Sequence, residues 1–199
     1  MNEKEQSESS LNIISSEEFR GKVLETGQKY MINTLFDAIN SILGVVIGLY
    51  LAEEGSTYIF IMSVISTAIA LGISSGTSIY EAEYFEQLRE IKKIEKHMIT
   101  NFEEKNPLLA KKAKLMGFGV GIMNFLTPLI IALIFTAVLA LLSLSWAFWT
   151  IVGLSALILF VTGLIFGKIN QLSPLRRGVR MLVIGLVTFV AVYAVGYVF

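Results

Sequence analysis

Apolar residues in this chain gather into five long stretches, at about Met31–Ala52, Tyr58–Ile79, Leu115–Leu142, Trp146–Phe166 and Met181–Phe199. A helix needs about 20 mostly apolar residues to cross roughly 30 Å of hydrocarbon, so each stretch predicts a spanning helix. The third is long enough to tilt, or to bend at Pro128. The expected fold class is an all-α integral membrane protein with five transmembrane helices. Residues 1–15 carry Ser, Glu and Gln with little to bury, which predicts a disordered tail. From Ser16, a candidate N-cap, Phe19, Val23 and Tyr30 recur at helical spacing among charges, predicting an interfacial amphipathic helix over residues 16–30. The transmembrane domain then occupies residues 31–199. After the second span the composition stays helical as far as about Phe102, so that span extends into an acidic helix within a segment covering residues 80–114; Asn106-Pro107 interrupts it. Lys168–Arg180 reads as a short basic connector punctuated by Pro174.

Charge orients this pattern. All sixteen Lys and Arg residues fall in three segments. The N-terminal segment holds Lys4, Arg20, Lys22 and Lys29; the second holds eight, from Arg89 to Lys114; the third holds Lys168, Arg176, Arg177 and Arg180. The opposite turns, Glu53–Thr57 and Ser143–Ser145, contain none. Basic residues in short loops resist translocation, which predicts a cytoplasmic N-terminus and an outside C-terminus. Tyr50, Tyr58, Trp146, Trp149, Tyr193 and Tyr197 then fall where the outer aromatic belt belongs. A hydrophobic fraction of 54% and a charged fraction of 16% depart from soluble domains in the same direction. The net charge of zero hides the asymmetry, and orientation accounts for the basic residues without a nucleic-acid partner. The polar start, MNEKEQSESS, has no apolar core of a cleavable signal peptide. Short loops without processing signals predict a multi-pass protein of the cell membrane. The absence of Cys excludes disulfides, Cys-ligated zinc and iron–sulfur centres.

Glycines recur at four-residue spacing within the spans: Gly44/Gly48, Gly72/Gly76, Gly117/Gly121 and Gly163/Gly167. Small residues one turn apart let helix backbones approach closely in lipid. They serve packing inside the bundle or a homodimer face, the latter expected for the first two spans.

Asp37 is the only aspartate and the only formal charge inside any of the five stretches. It lies about six residues, hence ~9 Å, inside the cytoplasmic boundary. An acidic residue there costs on the order of 2–3 kcal/mol on insertion scales, so it should face protein or water rather than lipid. Asn40, Ser41, Gly44 and Gly48 continue its stripe, and the second span carries another through Ser63, Thr67, Ala70, Ser74 and Thr77 to Glu81. Asn124 and Thr127 are placed to meet these groups from the third span. Carboxylate, carboxamide, hydroxyl and Pro-freed carbonyl oxygens suit a hard or borderline divalent cation, or a proton. Beyond the membrane, Glu83, Glu86 and Glu90 share a helical face that could collect cations, with Glu95, His97 and Met98 following; Arg89, Lys92, Lys93 and Lys96 alternate with them, as on a solvated, ion-paired helix. No nucleophile–base pair, phosphate-cradling loop or zinc-hydrolase signature is present, so an enzyme is not expected, nor a bound cofactor.

The first span, FDAINSILGVVIGL, is similar to the first helix of the vacuolar iron transporter family, and ALGISSGTSIYEAEYFE resembles its second, which runs into a cytoplasmic acidic helix. The stretch GLIFGKINQLSPLRRGVRMLVIGLVTFVAVYAVGYVF resembles its last two helices, so the likeness covers about residues 30–199. It implies a dimeric, five-helix transporter that exports ferrous iron (Fe2+), and often manganese (Mn2+), from the cytosol in exchange for protons. Asp37 matches the family's first-helix pathway aspartate. Ile73 stands where the family has Met, and Thr77 where it has Glu in a Gly-Glu-Tyr motif. With the residue pattern read above, the candidate metal ligands are Asp37, joined by Asn40, Ser74 and Thr77 as weak oxygen ligands in the pathway, and Glu81, Glu83, Glu86 and Glu90 on the acidic helix. The two departures admit alternatives: a non-transporting assembly or metal-sensing protein on the same fold, or an exporter of another cation.

Overall fold

A computed structural model describes residues 17–98 and 107–198. The expected tail over 1–15, the Ser16 cap and the break at Asn106 lie outside the described residues, as do the side chains of Glu95, His97, Met98 and Tyr197. The described chain is all helix: α1 (Glu17–Leu51), α2 (Thr57–Met98), α3 (Pro107–Leu141), α4 (Leu144–Ile169) and α5 (Pro174–Val198). All five are long and apolar enough to cross a membrane, so the chain is a multi-pass membrane protein. In hydrocarbon a backbone group has no water to bond, and a helix satisfies it within its own segment. At 1.5 Å per residue, the 42 residues of α2 span about 63 Å, twice the hydrocarbon thickness. The segment 17–30 and the first span form one uninterrupted helix, and α3 continues through Pro128.

The helices end by local chemistry. At the end of α1, Glu53 adopts a positive φ of 54°, the Glu54 N–H donates to the Leu49 carbonyl and the Glu53 N–H to that of Tyr50. The same pattern closes α4: Gln171 has φ 54°, and the Leu172 N–H donates to the Gly167 carbonyl. Both are Schellman caps with a side-chain-bearing residue where Gly is usual. Pro174 opens α5, where a missing N–H costs nothing.

The chain divides into two compact units. One comprises Ile73–Phe125 and the stretch ending at Met31. Here Phe19 of α1 is buried on Met116 and Val120 of α3, with Val23, Tyr30, Ile79 and Leu115 around them. The periodic apolar face of residues 17–30 thus packs on protein, while Glu18–Lys22 (3.8 Å) and Glu25–Lys29 (3.3 Å) pair on its exposed side. A Cβ on Gly121 would lie 2.9 Å from the Gly76 carbonyl oxygen, and one on Gly117 2.8 Å from that of Tyr80. Glycine is therefore what lets α2 and α3 touch backbone to backbone.

The other unit comprises Ile32–Gly72 and Leu126–Phe199. Its core interleaves Ile39, Ile42, Val46 and Ile47 of α1 with Phe60, Val64 and Ala68 of α2, Phe135 and Leu139 of α3, and Phe148 and Ile151 of α4. Their three- and four-residue steps put them on one face of each helix. The α4–α5 hairpin closes on glycine: a Cβ on Gly163 would lie 2.6 Å from the Gly178 Cα, and one on Gly167 2.6 Å from the Pro174 Cα. Tyr50 stacks on Phe148 at 3.9 Å, whereas Tyr58, Trp146, Trp149 and Tyr193 are exposed. Lipid has no hydrophobic driving force to press helices together, so close packing of small residues carries this association.

Candidate ion-pathway residues

Asp37 and Asn40 belong to the second unit described above. Asp37 is exposed on α1 and makes neither an ion pair nor a hydrogen bond among the described residues. Ser41 and Gly48 are exposed with it, and a Cβ on Gly48 would meet nothing within 4 Å. Its pair mate Gly44 is half-buried, with Val192 Cγ2 3.8 Å from where a Cβ would stand, so this pair is open at Gly48 alone and makes no backbone contact of the kind that locks α2 to α3 and α4 to α5. Asn40 is turned otherwise. Its Nδ2 donates to the Phe36 carbonyl at 2.8 Å, and its Oδ1 is buried without a partner, 3.9 Å from where a Cβ on Gly185 would stand. The oxygen a cation would need is thus directed at α5. Thr136 Oγ1 and Ser155 Oγ are also buried without partners in this unit. Sequence reasoning passed over both, since a lone hydroxyl in an apolar helix carries no signal of its own.

Ser74, Thr77, Glu81, Glu83, Glu86 and Glu90 belong to the other unit. Ser74, Thr77 and Glu81 are exposed on α2 at three- and four-residue steps. Thr77 and Ile73 line a cavity of about 320 Å3 with Tyr80 and Phe125, so the two positions that depart from the family pattern share one largely apolar surface. The residue that reaches the third helix is Ser75: its Oγ donates to the Asn124 carbonyl at 3.4 Å. Asn124 stands four residues before Pro128, whose missing N–H leaves that carbonyl without its helical donor. The Asn124 side chain is fully buried and donates from Nδ2 to the Val120 carbonyl at 2.8 Å.

The acidic face of α2 is divided by its neighbours. Glu83 is 4% exposed, and its Oε1 accepts from Gln87 Nε2 at 2.9 Å. Glu86 is exposed. Glu90 lines a cleft of about 360 Å3 together with Glu25, Lys22 and Lys112. Two ammonium groups in that cleft oppose the two carboxylates, which disfavours a divalent cation there. Among the described residues no group of three or more His, Cys, Asp or Glu side chains is arranged to hold a metal ion.

Comparison with known proteins adds a family. A sequence model of the VIT family matches residues 81–197, more than half of the chain, from the acidic end of α2 to the end of α5. The chain is also similar to the uncharacterized protein MJ0645 of Methanocaldococcus jannaschii, at 27% identity over 158 residues, covering 79% of this chain and 82% of that protein.

Proposed function

The chain belongs to the VIT family, a family of membrane metal-ion transporters, and from this premise we propose that it moves ferrous iron or manganese out of the cytosol in exchange for protons, with Asp37 as the pathway carboxylate. The observation that carries the reading is the state of Asp37: a carboxylate in an apolar helix, exposed on its unit and unpaired among the described residues. Facing lipid, such a group is costly; facing water or a second subunit, it is a site. A homodimer meets the requirement by bringing the open α1 stripes of two copies together, with the basic helix ends on the cytosolic side and the cell membrane as the host bilayer. Loaded from the cytosol, the carboxylates hold the cation as hard oxygen ligands; proton uptake from the outer side neutralises them and releases it. Ser74 and Thr77 supply only neutral oxygens on their own unit, so the charge that attracts the metal rests on Asp37. Glu81 and Glu86, both exposed, are the acidic-helix groups left to draw cations toward the entrance; Glu83 and Glu90 are engaged with Gln87 and the lysine-lined cleft.

The test is flux of ferrous iron and of manganese into proteoliposomes under an imposed pH gradient, comparing the native chain with Asp37→Asn. Proton-coupled flux is expected in the native protein and its loss in the variant, with the same thermal unfolding for both. Undiminished flux in Asp37→Asn would remove Asp37 from the mechanism.

A further inference from the structure

The first two turns of α1 and the third and fourth turns of α3 leave a groove between them that the proposed transport pathway does not use. It has a volume of about 320 Å3, and its walls are Phe19, Val23 and Leu24 on one side and Leu115, Phe118 and Gly119 on the other, with Arg20 as the one charged group. Leu24 and Phe118 are 52% and 59% exposed, so the apolar walls are open to the surroundings. Gly119 keeps the groove deep, since a Cβ there would stand 3.0 Å from Val23 Cγ1.

Its place along the helices identifies those surroundings. On α3 the basic run Lys111, Lys112, Lys114 ends immediately before Leu115, and the apolar span begins there. On α3 the groove therefore lies where basic sequence gives way to apolar sequence, and on α1 it lies in the charged amphipathic segment that precedes the apolar stretch from Met31, the border zone where lipid headgroups belong. Arg20 and Leu24, four residues apart, share a face of α1. Neither an acidic side chain lines the groove nor does Arg20 make an ion pair among the described residues, whereas Lys22 and Lys29 on the same helix are paired. An unpaired guanidinium at the rim of an open apolar slot, at this depth, is complementary to one ligand class: an anionic headgroup with an acyl chain below it.

We propose that this groove binds an anionic phospholipid, its phosphate on Arg20 and an acyl chain between Leu24 and Phe118. The site is independent of Asp37 and of the metal carried. It is tested by native mass spectrometry of the detergent-purified full chain, delipidated and titrated with phosphatidylglycerol or phosphatidylcholine of matched chains. Phosphatidylglycerol is expected to bind more tightly, and Arg20→Gln to weaken it by roughly fivefold, the loss of one cation near a phosphate. Leu24→Asn is expected to weaken both lipids, and Lys22→Gln, outside the groove, neither. Equal affinity for the two lipids, or an effect of Lys22→Gln as large as that of Arg20→Gln, would mean diffuse attraction to a basic surface and overturn the proposal. Competition by glycerol phosphate as effective as by the lipid would overturn it too, by removing the acyl chain from recognition.

Discussion

At the scale of single residues, the membrane makes every unpaired polar atom consequential. Pro128 takes a donor out of α3, and Ser75 Oγ supplies one to the carbonyl left behind on Asn124. Ser75→Ala is expected to destabilise the protein by about 0.5–1 kcal/mol, the usual size of a polar contact between membrane helices, in reversible unfolding in mixed micelles. A double-mutant cycle isolates the cause. In a Pro128→Ala background residue 128 regains its N–H, the Asn124 carbonyl recovers a helical donor, and Ser75→Ala should then cost measurably less. An equal cost in both backgrounds would separate Ser75 from the proline. Asp37 is the opposite case, a carboxylate that no side chain among the described residues satisfies.

At the scale of helices, the caps on α1 and α4 hold Glu53 and Gln171 in the left-handed region. Gln171→Gly is expected to raise stability by up to about 1 kcal/mol, because the Cβ penalty at that φ disappears while the Schellman bonds remain. A melting temperature unchanged or lowered would show that the unfolded chain's gain in freedom outweighs it. This scale is also where sequence and structure agree best. Length and hydropathy suffice to mark five spans, since hydrocarbon leaves a backbone few alternatives to helix. Glycine spacing marked close helix packing but not its partners: the second-span pair, expected on a homodimer face, instead packs through Gly76 on Gly121 and Phe125 of α3. What spacing does not encode is which way a polar side chain turns. Ser74 and Ser75 are adjacent and chemically identical, yet one is exposed and the other meets α3. Glu83, Glu86 and Glu90 share a helical face in projection, but Gln87, Lys22 and Lys112 give two of them different surroundings. These outcomes depend on neighbours distant in sequence, so the candidate site was legible in its anchor, Asp37, and much less so in its ligands.

At the scale of the molecule, Asp37, Ser41 and Gly48 are exposed on their own unit. If two copies meet there, Gly48→Trp places an indole where the backbones approach. The expected result is conversion of a dimer to a monomer in size-exclusion chromatography with light scattering, with helicity retained. A dimer that persists would assign the interface to another face and leave Asp37 needing water rather than a second subunit.

The glycine-on-backbone contact of α4 with α5 carries a consequence for biosynthesis. Its closest approaches, Gly163 to Gly178 and Gly167 to Pro174, are backbone to backbone across a short turn, and the side chains beside them, Phe160 and Leu164 on Gly178 and Arg177 on Gly167, belong to the same two helices. The last two spans can therefore leave the insertion machinery already zipped together, as one hairpin docking onto helices threaded before it. A bulky residue at Gly163 would then be felt during synthesis, as a nascent chain that inserts its final segment poorly and is degraded, before any effect on transport could be measured.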